Sequence, residues 1–144
     1  MRNPFAIKTA RFVAKALRTR FWDQRPFILS HLLTARCNAD CFTCLWKMPA
    51  NSKTDEMDTE QVQALYHDAA ATGFLALVLW GGEPMVRRDA GDVLRAAHEA
   101  GLNTTMITNG WFLNDRSDEV LPWVNRLVLS VDGLGERHDD IRQC

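Results

Sequence analysis

The chain opens on a helical rhythm. At about 100° per residue, Phe5, Thr9, Phe12, Val13, Ala16 and Leu17 gather on one side while Lys8, Arg11, Lys15 and Arg18 gather on the other. This pattern predicts an amphipathic helix, and Pro26 ends the segment. Two uses fit such a helix: packing its apolar stripe on the domain that follows, or resting on an anionic membrane surface or an acidic partner. Arg20 intrudes on the apolar side, which favours packing. From residue 27 onward, strand-like apolar runs alternate with helical stretches. Residues 27–33 predict a first strand, and the polar stretch 49–57 carries turn formers without periodicity. Asp58 is placed to cap a helix running through Tyr66 to Ala71, with Gln61 as its reciprocal partner and Gly73 in the stop position. Residues 74–80 form a continuous apolar run, expected to be a strand buried on both faces and closed by Gly81 and Gly82. A helix over 89–100 puts Val93, Leu94, Ala97 and Ala100 along one side and stops at Gly101. A third strand over 102–108, a short helix over 115–123 strained near Pro122, and a fourth strand over 126–131 complete the series.

Repeated βα units imply an α/β fold with parallel strands joined by right-handed crossovers. A doubly wound sheet and a barrel both satisfy that order. In either, ligands bind at the carboxyl ends of the strands, and each distinctive polar cluster falls there: the cysteines after the first strand, Gly81 to Pro84 after the second, Asn109 and Gly110 after the third, Asp132 and Gly133 after the fourth. Four loops should therefore meet at one mouth. Two regions follow from the pattern, a basic N-terminal helix over 1–26 and a core over 27–144.

Composition narrows the function. The 144 residues are 47% hydrophobic and 24% charged with a formal net charge of -1, the profile of one globular domain. The charge is unevenly spread. Arg2, Lys8, Arg11, Lys15, Arg18, Arg20 and Arg25 face only Asp23 in the first 26 residues, an excess of +6 that leaves -7 over the rest. An acidic body argues against nonspecific binding to nucleic acid. No run approaches the ~20 apolar residues of a membrane span, and no stretch has the order of a signal peptide. A reducing, cytoplasmic compartment is the expectation.

Three of the four cysteines, Cys37, Cys41 and Cys44, lie within eight residues. Cysteines so close together suit metal ligation better than structural disulfides. Three thiolates on one loop can bind three irons of a cubane cluster and leave the fourth without a protein ligand, open to a substrate or cofactor. Most iron–sulfur proteins use four cysteines and only transfer electrons. Zinc would need a fourth ligand, for which Cys144, His31 or His67 could be offered, but Cys144 is terminal and neither histidine has paired spacing with the loop.

Leu33-Thr34-Ala35-Arg36-Cys37, together with the CxxxCxxC spacing of Cys37, Cys41 and Cys44, resembles the radical S-adenosylmethionine (radical SAM) superfamily, particularly its molybdenum-cofactor and peptide-maturation (SPASM-type) branches. Gly81-Gly82-Glu83-Pro84 is similar to the family's GGEP turn, and Thr108-Asn109-Gly110 to a frequent ending of the third strand. Ser130-Val131-Asp132-Gly133, followed by His138-Asp139-Asp140-Ile141-Arg142, resembles the strand-four region. The resemblance spans 28–142. It implies a partial, TIM-like (βα) barrel of about four units after an N-terminal amphipathic helix. It implies a [4Fe-4S] cluster on the three cysteines, with the amino and carboxylate groups of S-adenosyl-L-methionine (SAM) on the open iron. Reductive cleavage of SAM would then yield methionine and a 5′-deoxyadenosyl radical that takes hydrogen from a substrate, chemistry no amino-acid side chain supplies. Gly81 and Gly82 would let the backbone pass close to the ligand. Backbone carbonyls of the turn, with Glu83, would accept from the methionyl ammonium, and Pro84 completes the motif. Ser130 and Asp132 would meet the ribose hydroxyls or the methionyl carboxylate, with Asn109 nearby. No side chain is singled out as catalytic in its own right.

The sequence departs from the family in two respects. Thr43 stands where the family usually carries an aromatic residue before the third cysteine; Phe42 precedes it, and Trp46 is a candidate substitute for the adenine contact. The chain also ends after its fourth strand, whereas the family core has about six units, related to a barrel that usually needs ~250 residues. It therefore reads as the front part of a longer protein, with an expected exposed sheet edge, poor stability alone and weak turnover. The implied partners are a small-molecule or peptide substrate and an electron donor such as flavodoxin or ferredoxin. A noncatalytic iron–sulfur electron carrier and a zinc-stabilised binding module are the alternatives. Met48, Met85 and Met106 need no cofactor role, His67, His98 and His138 read as surface or packing residues, and Cys144 as incidental.

Overall fold

A computed structural model describes residues 4–21, 25–44 and 55–143. Trp46, Met48, most of the polar stretch 49–57 and Cys144 lie outside the described residues. The elements are α1 (Pro4–Phe21), β1 (Ile28–Thr34), α2 (Thr59–Thr72), β2 (Ala76–Gly81), α3 (Ala90–Glu99), β3 (Asn103–Thr108), α4 (Leu113–Val120), β4 (Arg126–Leu129) and α5 (Glu136–Arg142). Short 3-10 turns at Pro84–Val86 and Leu121–Trp123 follow β2 and α4.

The sheet decides between the two architectures. Its strands run in the order β1-β2-β3-β4, and each neighbouring pair is parallel. A doubly wound sheet would reverse its order at a switch point; this one does not, and so has the progression of a barrel wall.

The end signals of α2 act as the sequence predicts. Gln61 N donates to Asp58 Oδ1 at 2.8 Å, Asp58 N donates to Gln61 Oε1 at 3.0 Å, and Gly73 closes the helix at φ +102°. Behind the sheet, Val62 and Tyr66 of α2 and Val93, Leu94 and Ala97 of α3 pack on Leu33, Leu77, Leu79 and Met106. Apolar burial on this side is the main stabilising term.

The expectation of a β2 buried on both faces is corrected. Leu77 and Leu79 are fully buried, but Val78 and Trp80 on the opposite face are only half-buried, because the helices cover one side of the sheet. There Trp80 Nε1 donates to Ser30 Oγ at 2.9 Å. Burial in β3 alternates in the same way, with Thr104, Met106 and Thr108 inside.

The stripe expected on α1 is divided. Phe12 meets Phe27 edge-on at 5.4 Å, whereas Val13 and Leu17 are exposed together with Ile7. A stripe that wide exceeds the single line along which a helix meets a strand end, so one flank packs and the other faces solvent. Pro122 sits in the 3-10 turn after α4, and α5 is an addition the sequence pattern did not predict. Among the described residues no helix is long and apolar enough to cross a membrane.

Candidate active site

The site is built where β1 and β2 run out. Their register slips between Leu32 and Thr34, and Thr34 pairs with Gly81. The ladder then continues past the strands: Gly82 N donates to Thr34 O at 2.8 Å and Glu83 N to Arg36 O at 2.8 Å. A Cβ on Gly81, at φ +146°, would stand 2.2 Å from Thr34 O, and one on Gly82 would stand 2.2 Å from Arg36 O. These glycines are needed for the cysteine loop to lie flat on the turn. Both also line the cavity in front of them, so close chain packing accompanies the ligand-approach role read from the sequence.

Glu83 departs from its expected placement. Its side chain is fully buried and turned toward β3, where Oε1 accepts from Met85 N at 3.0 Å and Thr108 Oγ1 at 2.8 Å, and Oε2 accepts from Asn109 N at 2.8 Å. A carboxylate with three short donors is a brace between turns. Two of the three donors come from the end of β3 and the residue after it. Pro84 is buried and begins the 3-10 turn. Thr108 enters the sequence motif without a role of its own, although the two-residue alternation of β3 points it inward.

The remaining sequence candidates converge. Cys37, Cys41, Cys44, Gly81, Gly82, Asn109, Ser130 and Asp132 line one cavity of ≈ 520 Å³, together with Thr43 and Arg142. Asn109 is held in a fixed orientation. Trp111 N donates to its Oδ1 at 3.0 Å, and its Nδ2 donates to Asn38 Oδ1 at 2.9 Å and reaches Cys37 Sγ at 4.0 Å. Phe42 is exposed and is not among the residues lining the cavity.

All three thiols are free. Loss of solvent raises the Cys37 thiol above its ordinary value; the Ala39 N–H opposes this, and the charges of Glu83, Cys41 and Cys44 reinforce it. Ligation of a metal would remove its proton. Among the described residues no three His, Cys, Asp or Glu side chains form a group that could hold one metal ion. The three thiols share the lining of one cavity.

Neither described histidine offered for zinc reaches the loop. Nδ1 of His31 lies 2.9 Å from Tyr66 Oη behind the sheet, and burial, then Arg87, lowers its pKa. His67 is exposed on α2. His138 braces the fourth loop, with Asp132 N donating to its Nδ1 at 3.3 Å.

An ion-pair network supports the approach to Cys37. Arg36 clasps Glu56 through Nε at 2.9 Å and Nη2 at 2.8 Å, and Thr34 Oγ1 donates to the same carboxylate at 2.5 Å. Arg87, 6% exposed, pairs with Asp89 through Nε at 2.9 Å and Nη2 at 2.5 Å, and donates to Met57 O at 2.8 Å. Its hydrogen bond to Arg87, then that to Thr59, holds Asp89 at a pKa of about 2, and Arg36 likewise lowers Glu56. Carboxyls depressed in the folded state stabilise it fully above their unfolded pKa and cease to as pH falls through the folded one. Stability should therefore drop between the ordinary carboxylate range and about pH 2. In Asp89→Asn, chemical denaturation across that window should show a shallower decline; an unchanged pH slope would contradict this.

Residues 32–143 match the model of the radical SAM superfamily. The chain belongs to that superfamily. Relatives include the AdoMet-dependent heme synthase of Methanosarcina barkeri, 33% identical over 81% of this chain and 34% of that protein. The PqqA peptide cyclase of Ruegeria pomeroyi is 42% identical over 75% of this chain and 29% of that protein. The chain thus spans about a third of the length of these relatives. The fold matches the crystal structure of Streptococcus suis SuiB bound to precursor peptide SuiA, with a TM-score of 0.70 at 22% identity over 99% of this chain and 33% of that one. The radical SAM superfamily is one of enzymes, and its cofactors are a [4Fe-4S] cluster and SAM.

Proposed function

We propose that Cys37, Cys41 and Cys44 hold the [4Fe-4S] cluster, that SAM occupies the adjoining cavity, and that the protein carrying this chain modifies a peptide. The observation that carries the reading is the three thiols, the Gly81-Gly82 turn, Asn109, Ser130 and Asp132 around a single cavity. When both groups are bound, they supply one-electron cleavage of SAM and hydrogen-atom abstraction from the substrate.

The chain's own residues ligate and orient. Gly81 and Gly82 line the cavity, where their backbone carbonyls would accept from an ammonium group, and Ser130 and Asp132 offer polar groups to a ribose or amino acid. The peptide substrate is supported by the PqqA peptide cyclase relative. A flavodoxin or ferredoxin is the class of donor such a cluster requires, and a reducing compartment such as the cytoplasm keeps the thiols available.

Anaerobic reconstitution with iron and sulfide should give a [4Fe-4S] spectrum whose EPR line shape changes on adding SAM. Cys41→Ala should lose most of the bound iron. Retained iron in that variant would refute the ligand assignment, stoichiometric zinc would favour a binding module, and a spectrum indifferent to SAM would favour an electron carrier.

A further inference from the structure

Helix α5 brings to the cysteine loop a charge, Arg142, to which the proposed chemistry gives no role. Phe42 N donates to Ile141 O at 3.3 Å and Asp40 N to Gln143 O at 3.4 Å, so the residues on both sides of Cys41 are tied to the last turn of α5. The fold-back packs α5 closely on Gly133, where a Cβ would meet Arg137 Cγ at 3.1 Å and His138 N at 3.2 Å. At the end of this helix, Arg142 Nη1 donates to Cys41 Sγ at 3.7 Å, and Nε lies 2.6 Å from Asp132 Oδ2. The Nε–H does not satisfy hydrogen-bond geometry with a partner, so the pairing with Asp132 is one of charge. Cys41 is 8% exposed and the Arg142 side chain 17%, a setting in which charge is weakly screened. The donors on Cys37, Ala39 N at 3.4 Å and Asn109 Nδ2 at 4.0 Å, are neutral by contrast.

We propose that Arg142 is a positioning residue that raises the reduction potential of the cluster by donating to the Cys41 sulfur, and that Asp132 attenuates it as counter-charge. This rests on the cluster reading above. Reduction adds one electron to the cluster, and a cationic N–H donor on a ligand thiolate stabilises the more negative form. An anion beside that donor offsets it, so removing Arg142 and removing the Asp132 charge should move the potential in opposite directions.

The test is an EPR-monitored redox titration of the reconstituted protein without SAM, for wild type, Arg142→Met, Arg142→Lys and Asp132→Asn, each with its iron content measured. The midpoint should move negative in Arg142→Met, lie between that value and wild type in Arg142→Lys, and move positive in Asp132→Asn. If Arg142→Met fails to fold, the opposed shifts of the other two variants decide. Coincident midpoints at equal iron content would overturn the proposal. So would shifts that appear only after SAM is added, which would place the guanidinium's action on SAM. A wild-type protein that takes up no cluster would overturn the parent reading, and this inference with it, an outcome distinct from equal midpoints in loaded protein.

Discussion

Gly82→Ala should leave the chain unable to retain its cluster. The added methyl would sit 2.2 Å from Arg36 O, 2.6 Å from Arg36 C and 2.9 Å from Ala35 O, all backbone atoms that cannot rotate aside. Relief requires lifting the loop at the residue before Cys37, which breaks the Glu83 N to Arg36 O hydrogen bond. Iron and sulfide per chain after reconstitution should fall at least tenfold, alongside a lowered thermal midpoint. Gly101→Ala is the contrast: at φ +88° with nothing within 4 Å of its Cβ, it should cost only about 1–2 kcal/mol of backbone strain and keep its iron. Wild-type iron content in Gly82→Ala would show that the loop does not depend on this close approach.

Glu83→Ala should be strongly destabilising while leaving the cysteines untouched. It strands Met85 N and Asn109 N and leaves Thr108 Oγ1 only the weak acceptor Met85 Sδ at 3.9 Å. A buried donor without a partner costs about 1–3 kcal/mol, so two of them take a large share of the roughly 5–15 kcal/mol by which whole domains are stable. Glu83→Gln keeps one acceptor oxygen but turns an amide toward donors on its other side, so its urea midpoint should lie between those of alanine and wild type. Equal midpoints for all three proteins would mean that water replaces the carboxylate and that the brace is dispensable.

The difference between what was legible in the sequence and what was not follows the range of the interactions. Capping by Asp58 and Gln61 is settled within four residues and the spacing of the cysteines within eight; both read directly from the chain. The direction of Glu83 is not local. Besides the local Met85 N, its donors come from Thr108 and Asn109, 25 and 26 positions away, and either they or a ligand could satisfy the same carboxylate. Helix α5 leaves no periodic signal, because Glu136, Arg137, Asp139 and Asp140 are all exposed and give no apolar stripe. What anchors it is the pairing of its last turn with the cysteine loop. The half-covered faces of β2 and the divided stripe of α1 show the same limit: an apolar position states that burial is favourable, not which neighbour supplies it.

The cysteine loop is fastened at its start by Gly82 and Glu83 and at its second thiol by Arg142, 101 positions further on. During translation at about 5–20 residues per second, the thiol of Cys41 leaves the ribosome roughly 5–20 seconds before the helix that closes over it has been made. Through that interval it is an ordinary nucleophile on an unfinished polypeptide, open to oxidants and stray metals. A thiol reagent should therefore label Cys41 faster on the nascent or unfolded chain than in the folded protein, where the residue is buried.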